Sequence, residues 1–138
     1  MKIEIQRINQ DYHLEASNEI GNKLYMDGSV EIGGGNLAFR PMQMLLAAIG
    51  GCSSIDVISI LKKQKQEVTD YHVTVDGERE KGKEPSLFTD IHLHFALKGN
   101  HLDKDKVKKA IELSLDKYCS VAKTLEKTAK ITYSFSVE

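Results

Sequence analysis

The sequence predicts an α+β fold, and three observations carry that prediction. Apolar and polar side chains alternate with a period of two in short runs near the start, in the middle and at the end of the chain. One stretch, Pro41 to Gln64, repeats apolar residues at steps of three and four with almost no polar face. Strand-like and helix-like runs are segregated rather than alternating one for one, which indicates antiparallel sheet packed with helices.

In chain order, Lys2 to Arg7 sets Ile3 and Ile5 against Lys2, Glu4 and Gln6, the pattern of a half-buried strand. A second strand is expected around Tyr12 to Ala16. A turn at Gly21-Asn22 leads to a third, Lys23 to Met26, ending at Asp27-Gly28. Val30 to Asn36 holds Gly33-Gly34-Gly35 and reads as a mobile loop; it lacks the glycine spacing of a phosphate cradle. Pro41 suits the first turn of a helix, where its missing N–H has no partner to lose. From there Met44, Ala48, Cys52, Ile55 and Ile58 form a stripe widened by Leu45, Ile49, Val57, Ile60 and Leu61. A helix this apolar belongs at the centre of a domain or dimer, and Gly50-Gly51 within it suits close approach of another backbone.

Tyr71 to Glu78 and Phe88 to Leu97 read as two strands joined by a charged hairpin, Arg79 to Ser86. Asp103 can cap a helix running to about Lys117, with Val107, Ala110, Ile111, Ser114 and Tyr118 on its buried side. A short helix, about Val121 to Lys127, and a last strand, Ile131 to Val137, complete the expected order.

The 138 residues suit a single domain, 1–138, large enough to fold without a metal or disulfide staple. Nineteen Lys and Arg against twenty Asp and Glu leave no electrostatic footprint for nucleic acid or for anionic lipid. The longest unbroken apolar run, Met44 to Ile49, is short for a membrane span, and the N-terminus lacks a signal-peptide core. The expected compartment is the cytoplasm, where Cys52 and Cys119 are either inert core thiols or a working redox pair.

Cys52 lies on or beside the apolar stripe, which suits a buried structural thiol. It also follows Gly-Gly, precedes Ser53 and Ser54, and has Asp56 one turn later on the same side of the helix. A carboxylate there either raises the thiol pKa or holds a partner cation. Cys119 falls between two helices. At the N-terminus of the second, unpaired N–H groups and the dipole favour a thiolate. His92 and His94 share a strand face with His72 nearby, yet no zinc-ligand spacing is present, and these read as polar strand faces. No metal site is expected. The lysine runs at Lys62-Lys63 and Lys104 to Lys109 read as solvated helix faces.

The segment Pro41-Met42-Gln43-Met44-Leu45-Leu46-Ala47-Ala48-Ile49-Gly50-Gly51-Cys52-Ser53-Ser54-Ile55-Asp56-Val57 resembles the central helix of the OsmC/Ohr family, the osmotically inducible and organic hydroperoxide resistance proteins. Lys117 to Ala122 resembles its second cysteine block, and Leu87 to Phe95 its central hairpin, with the look of the YhfA-like branch. The resemblance implies antiparallel sheets wrapped around long central helices in an intertwined homodimer. It also implies a stress-response thiol peroxidase acting on a small organic hydroperoxide, with Cys52 peroxidatic and Cys119 resolving. An external dithiol then reduces the disulfide, and no bound cofactor is required.

Two features depart from the family's pattern. Met42 and Gln43 stand where a glutamate that holds the activating arginine is usual. Of the three arginines none matches clearly; Arg40 is nearest the helix start, and Arg79 lies on the charged hairpin. The alternative function is a non-catalytic dimer of the same shape that binds a small hydrophobic ligand or scavenges electrophiles.

Overall fold

Alternation at the start of the chain folds as expected. In a computed structural model describing residues 1–138, strands β1 (Ile3–Arg7), β2 (Leu14–Asn18) and β3 (Lys23–Met26) form an antiparallel meander. Ile5 faces Ala16 in register, and Ala16 faces Leu24. The β1 strand is exposed throughout, so Ile3 and Ile5 lie on the surface of the chain.

The glycine segment is a folded loop rather than a free one. Val30–Ile32 makes a single 3-10 turn, and Gly33 ends it in the left-handed region at φ 98°. The buried Asp27 carboxylate pins both sides, accepting the N–H of Gly28 at 2.7 Å and that of Leu37 at 3.0 Å. Glycine content signals conformational freedom; here a short carboxylate spends that freedom on one closed turn.

Helix α1 runs Pro41–Lys63. By their contacts the residues form two compact units, Met1–Leu45 and Leu46–Glu138, with the division inside α1. The second unit holds β4 (Glu67–Arg79), β5 (Phe88–Asn100), α2 (Lys104–Leu113), a π-helical turn (Ser114–Tyr118), α3 (Ser120–Leu125) and β6 (Lys130–Val137).

Strand β5 is central, between β4 and β6. It pairs antiparallel with β4, placing Val73 opposite Phe95. It pairs parallel with β6, placing Ile131 opposite Ile91. The sheet is therefore mixed, where an antiparallel one was expected. The helical crossover from α2 to α3 returns the chain to the end where β5 began, so β6 must run the same way.

One face of β5, made by Ile91, Leu93, Phe95 and Leu97, is buried, as are Ile49, Val57 and Leu61 of α1 and Val107, Ala110 and Ile111 of α2. The helices touch the sheet at opposite edges. Tyr71 of β4 donates its hydroxyl to Ser54 of α1 at 3.0 Å, and Tyr133 of β6 donates to Glu112 of α2 at 2.7 Å. Gly50 lies close against β4, since a Cβ there would lie 2.9 Å from Val75 Cγ2.

By length and composition alone α1 could cross a membrane, although its unbroken apolar run is short. Its most apolar window is 28% buried, and Ile55 stands 72% exposed on the surface of the chain.

Candidate functional site

Cys52 and Asp56 project from one face of α1, since residues four apart sit one above the other on a helix. Cys119 comes from the far side of the sequence, between the π-helical turn and α3. The fold brings all three together: the two sulfurs and a carboxylate oxygen of Asp56 lie within 4.8 Å of one another. Both cysteines are free thiols, Cys52 half-buried and Cys119 fully buried.

The π-helical turn positions the second thiol. The Cys119 N–H donates to the Ser114 carbonyl at 2.7 Å, a bond spanning five residues that widens the last turn. Cys119 then leaves helical geometry at φ −74°, ψ 101° and caps α3, its sulfur accepting the Ala122 N–H at 3.3 Å. The same turn supplies Ser114, which is fully buried and donates its hydroxyl to Asp56 Oδ2 at 2.9 Å. One irregular turn thus sets Cys119 and orients Asp56.

Burial pushes the Cys119 thiol up to about 11, with the neighbouring Cys52 adding to the rise and the Ala122 N–H opposing it. The expectation that the helix N-terminus favours a thiolate is therefore overturned. The N–H group is present as expected, but loss of hydration outweighs it. Cys119 rests as a neutral thiol.

The other sequence candidates make contacts of their own. In the first unit, Gln43 accepts the backbone N–H of Arg40 at 3.0 Å, the reciprocal half of a capping box at the start of α1. The Arg40 guanidinium donates to Asn36 Oδ1 at 3.2 Å, and its Nε is buried without a partner. Arg79 donates twice to the Ser86 carbonyl, at 3.0 and 3.1 Å, closing its own hairpin. The histidines His92 and His94 share the Ser134 hydroxyl across β5 and β6, as polar strand faces do.

A groove of about 630 Å³ opens beside Asp56, walled by Ile60, Leu113 and Tyr118 with Lys63 at its side. Sequence reasoning passed over Ser114 in the site and Lys63 in the groove beside it. Ser114 read as one more residue of a buried stripe, and Lys63 as a solvated face. The spacing Asp56 to Lys63, two helical turns on one face, was the available signal.

Fold and site together define a protein class. The OsmC-like protein family matches residues 33–134, so the chain belongs to the OsmC-like family. It is 47% identical over 117 residues to Protein YhfA of Escherichia coli K12, covering 85% of this chain and 84% of that protein. A solved structure described as structural genomics matches with a TM-score of 0.87 at 40% identity, covering 99% of this chain and 98% of that one. The crystal structure of an organic hydroperoxide resistance protein OsmC from Legionella pneumophila matches with a TM-score of 0.73, covering 99% and 96%. At 18% identity that last likeness is one of fold.

Proposed function

We propose that the protein is a thiol peroxidase that reduces organic hydroperoxides through Cys52 and Cys119. The observation that carries this reading is the meeting of the two sulfurs, within 4.8 Å, from helix α1 and the α2–α3 junction. Neighbours of the same fold bear the name organic hydroperoxide resistance protein, which supports the substrate class.

The accessible thiol acts first. The Cys52 thiol releases its proton and the thiolate attacks the terminal oxygen of the hydroperoxide. The O–O bond breaks, the alkoxide takes up the released proton and leaves as the alcohol, and Cys52 becomes a sulfenic acid. Cys119 then attacks that sulfur, a disulfide forms, and water leaves. As a neutral, buried thiol, Cys119 does not compete for peroxide; it needs to lose its proton only when the sulfenate is beside it. An external dithiol reduces the disulfide, so the cycle needs no bound cofactor.

The working unit in this reading is a cytoplasmic homodimer. Ile55 and Ile58 on α1, and Ile3 and Ile5 on β1, are exposed on the single chain and suit burial against a second copy. Arg40, Gln43 and Arg79 remain candidates for holding the thiolate or the substrate.

The test is turnover of cumene hydroperoxide with a dithiol, followed by non-reducing peptide mapping. The expected result is turnover abolished by Cys52→Ser and a Cys52–Cys119 disulfide in the wild type. Over-oxidised Cys52 beside a free Cys119 would overturn the resolving role.

A further inference from the structure

We propose that Cys52, Asp56 and Cys119 also form a binding site for a thiophilic divalent cation of the zinc or cadmium kind, open only while both cysteines are reduced. The histidines drew attention as metal ligands in the sequence, but the donor set the fold assembles is this one. It does not depend on the peroxidase reading.

The donors favour such an ion. Two sulfurs and one carboxylate oxygen select a soft or borderline metal over magnesium or calcium. Around a tetrahedral zinc, bonds of about 2.0–2.3 Å put donor atoms roughly 3.3–3.8 Å apart, so atoms already within 4.8 Å of one another need close by at most about 1.5 Å. That is within the reach of cysteine and aspartate rotamers. Cys52 and Asp56 offer two ligands from successive turns of one helix, the arrangement that places paired ligands on a common metal. The third comes from a rigid helix cap, and a fourth position would face water or the groove beside Asp56.

The surrounding contacts are of the kind that orient metal ligands. Ser114 donates to Asp56 Oδ2 at 2.9 Å and so fixes the carboxylate. The Ala122 N–H directed at Cys119 Sγ compensates charge on a bound thiolate. Binding converts two thiols and a divalent ion into a dithiolate complex and two free protons, so affinity rises with pH. Disulfide formation removes both sulfur donors and excludes the ion.

The experiment is titration of the reduced, metal-stripped full chain with cadmium, read by the sulfur-to-cadmium charge-transfer absorbance, with zinc competing for the same signal. Saturation at one ion per chain is expected, with none after oxidation to the disulfide by diamide. Asp56→Asn should weaken binding at least tenfold while retaining the absorbance, and Ser114→Ala should weaken it severalfold. Circular dichroism first establishes that each variant keeps its fold. No saturable binding by the wild type, one ion per two chains, or unchanged affinity in a folded Asp56→Asn variant would each overturn the proposal. Peroxide turnover without cation binding would overturn it and leave the peroxidase reading standing.

Discussion

Ser114 donates its hydroxyl to Asp56 Oδ2 at 2.9 Å, joining the end of α2 to the cysteine-bearing face of α1. The bond is made by a fully buried hydroxyl to a half-buried carboxylate, where losing the donor leaves an acceptor short of water. Ser114→Ala is therefore expected to cost about 2 kcal/mol, a figure typical of hydrogen bonds to charged groups. Urea unfolding measures it. A change within error of zero would mean that water replaces the hydroxyl.

Gly50 and Gly51 are adjacent yet differ in what surrounds them. A Cβ on Gly50 meets Val75 at 2.9 Å, whereas on Gly51 it meets nothing within 4 Å. Gly50→Ala should destabilise by about 1–3 kcal/mol through overpacking, against a helix-propensity gain of about 1. Gly51→Ala should stabilise by roughly 1 kcal/mol. Thermal melts of both variants give the comparison, and a loss at Gly51 would place another chain against it.

Backbone N–H groups stabilise the Asp27 carboxylate, that of Leu37 foremost and then those of Gly28 and Gly35, and hold its pKa below the usual aspartate value. Its folded value is depressed, so the stability it lends is present above the unfolded pKa and is lost as pH falls through the folded one. Stability of the first unit should decline progressively from about pH 5 downward, and Asp27→Asn should flatten that decline. Melting temperature against pH for the two proteins tests the sign.

Cys119 lies on the opposite branch. Its folded pKa, about 11, exceeds the ordinary 9.0, so the folded state holds the proton more tightly. The associated stability is complete below the unfolded pKa and is lost as pH climbs from 9.0 to about 11. Cys119→Ser should reduce the alkaline fall in stability over that range. The tyrosines Tyr71 and Tyr133, raised by burial from 10.0 to about 12, add their own fall from pH 10 upward; they remain in the variant, so the difference between the two proteins isolates Cys119.

What the sequence disclosed follows from which interactions are local. Alternation at Ile91, Leu93, Phe95 and Leu97 identified the buried face of β5, because side-chain direction is set residue by residue. Alternation carries no information on strand direction, so the parallel pairing of β6 was not legible. The one-turn relation of Cys52 and Asp56 could be counted from the helix. Their meeting with Cys119 could not, since it depends on how α2 and its π-helical turn pack. The periodic stripe through Ser114 and Tyr118 looked like an unbroken helix, because a turn widened by one residue barely disturbs the pattern. At Cys119 the dipole was visible in the sequence, whereas the burial that outweighs it belongs to the tertiary structure.

The parallel pairing of β5 with β6 also orders events during synthesis. Strand β5 can pair with β4 as soon as their hairpin leaves the ribosome, but its other edge waits for residues 130–137. Until they emerge, the nascent chain carries an open edge along Ile91, Leu93 and Phe95, a template for pairing with a neighbouring chain. A chain truncated before β6 should therefore associate with itself more readily than the full chain, as sedimentation would show.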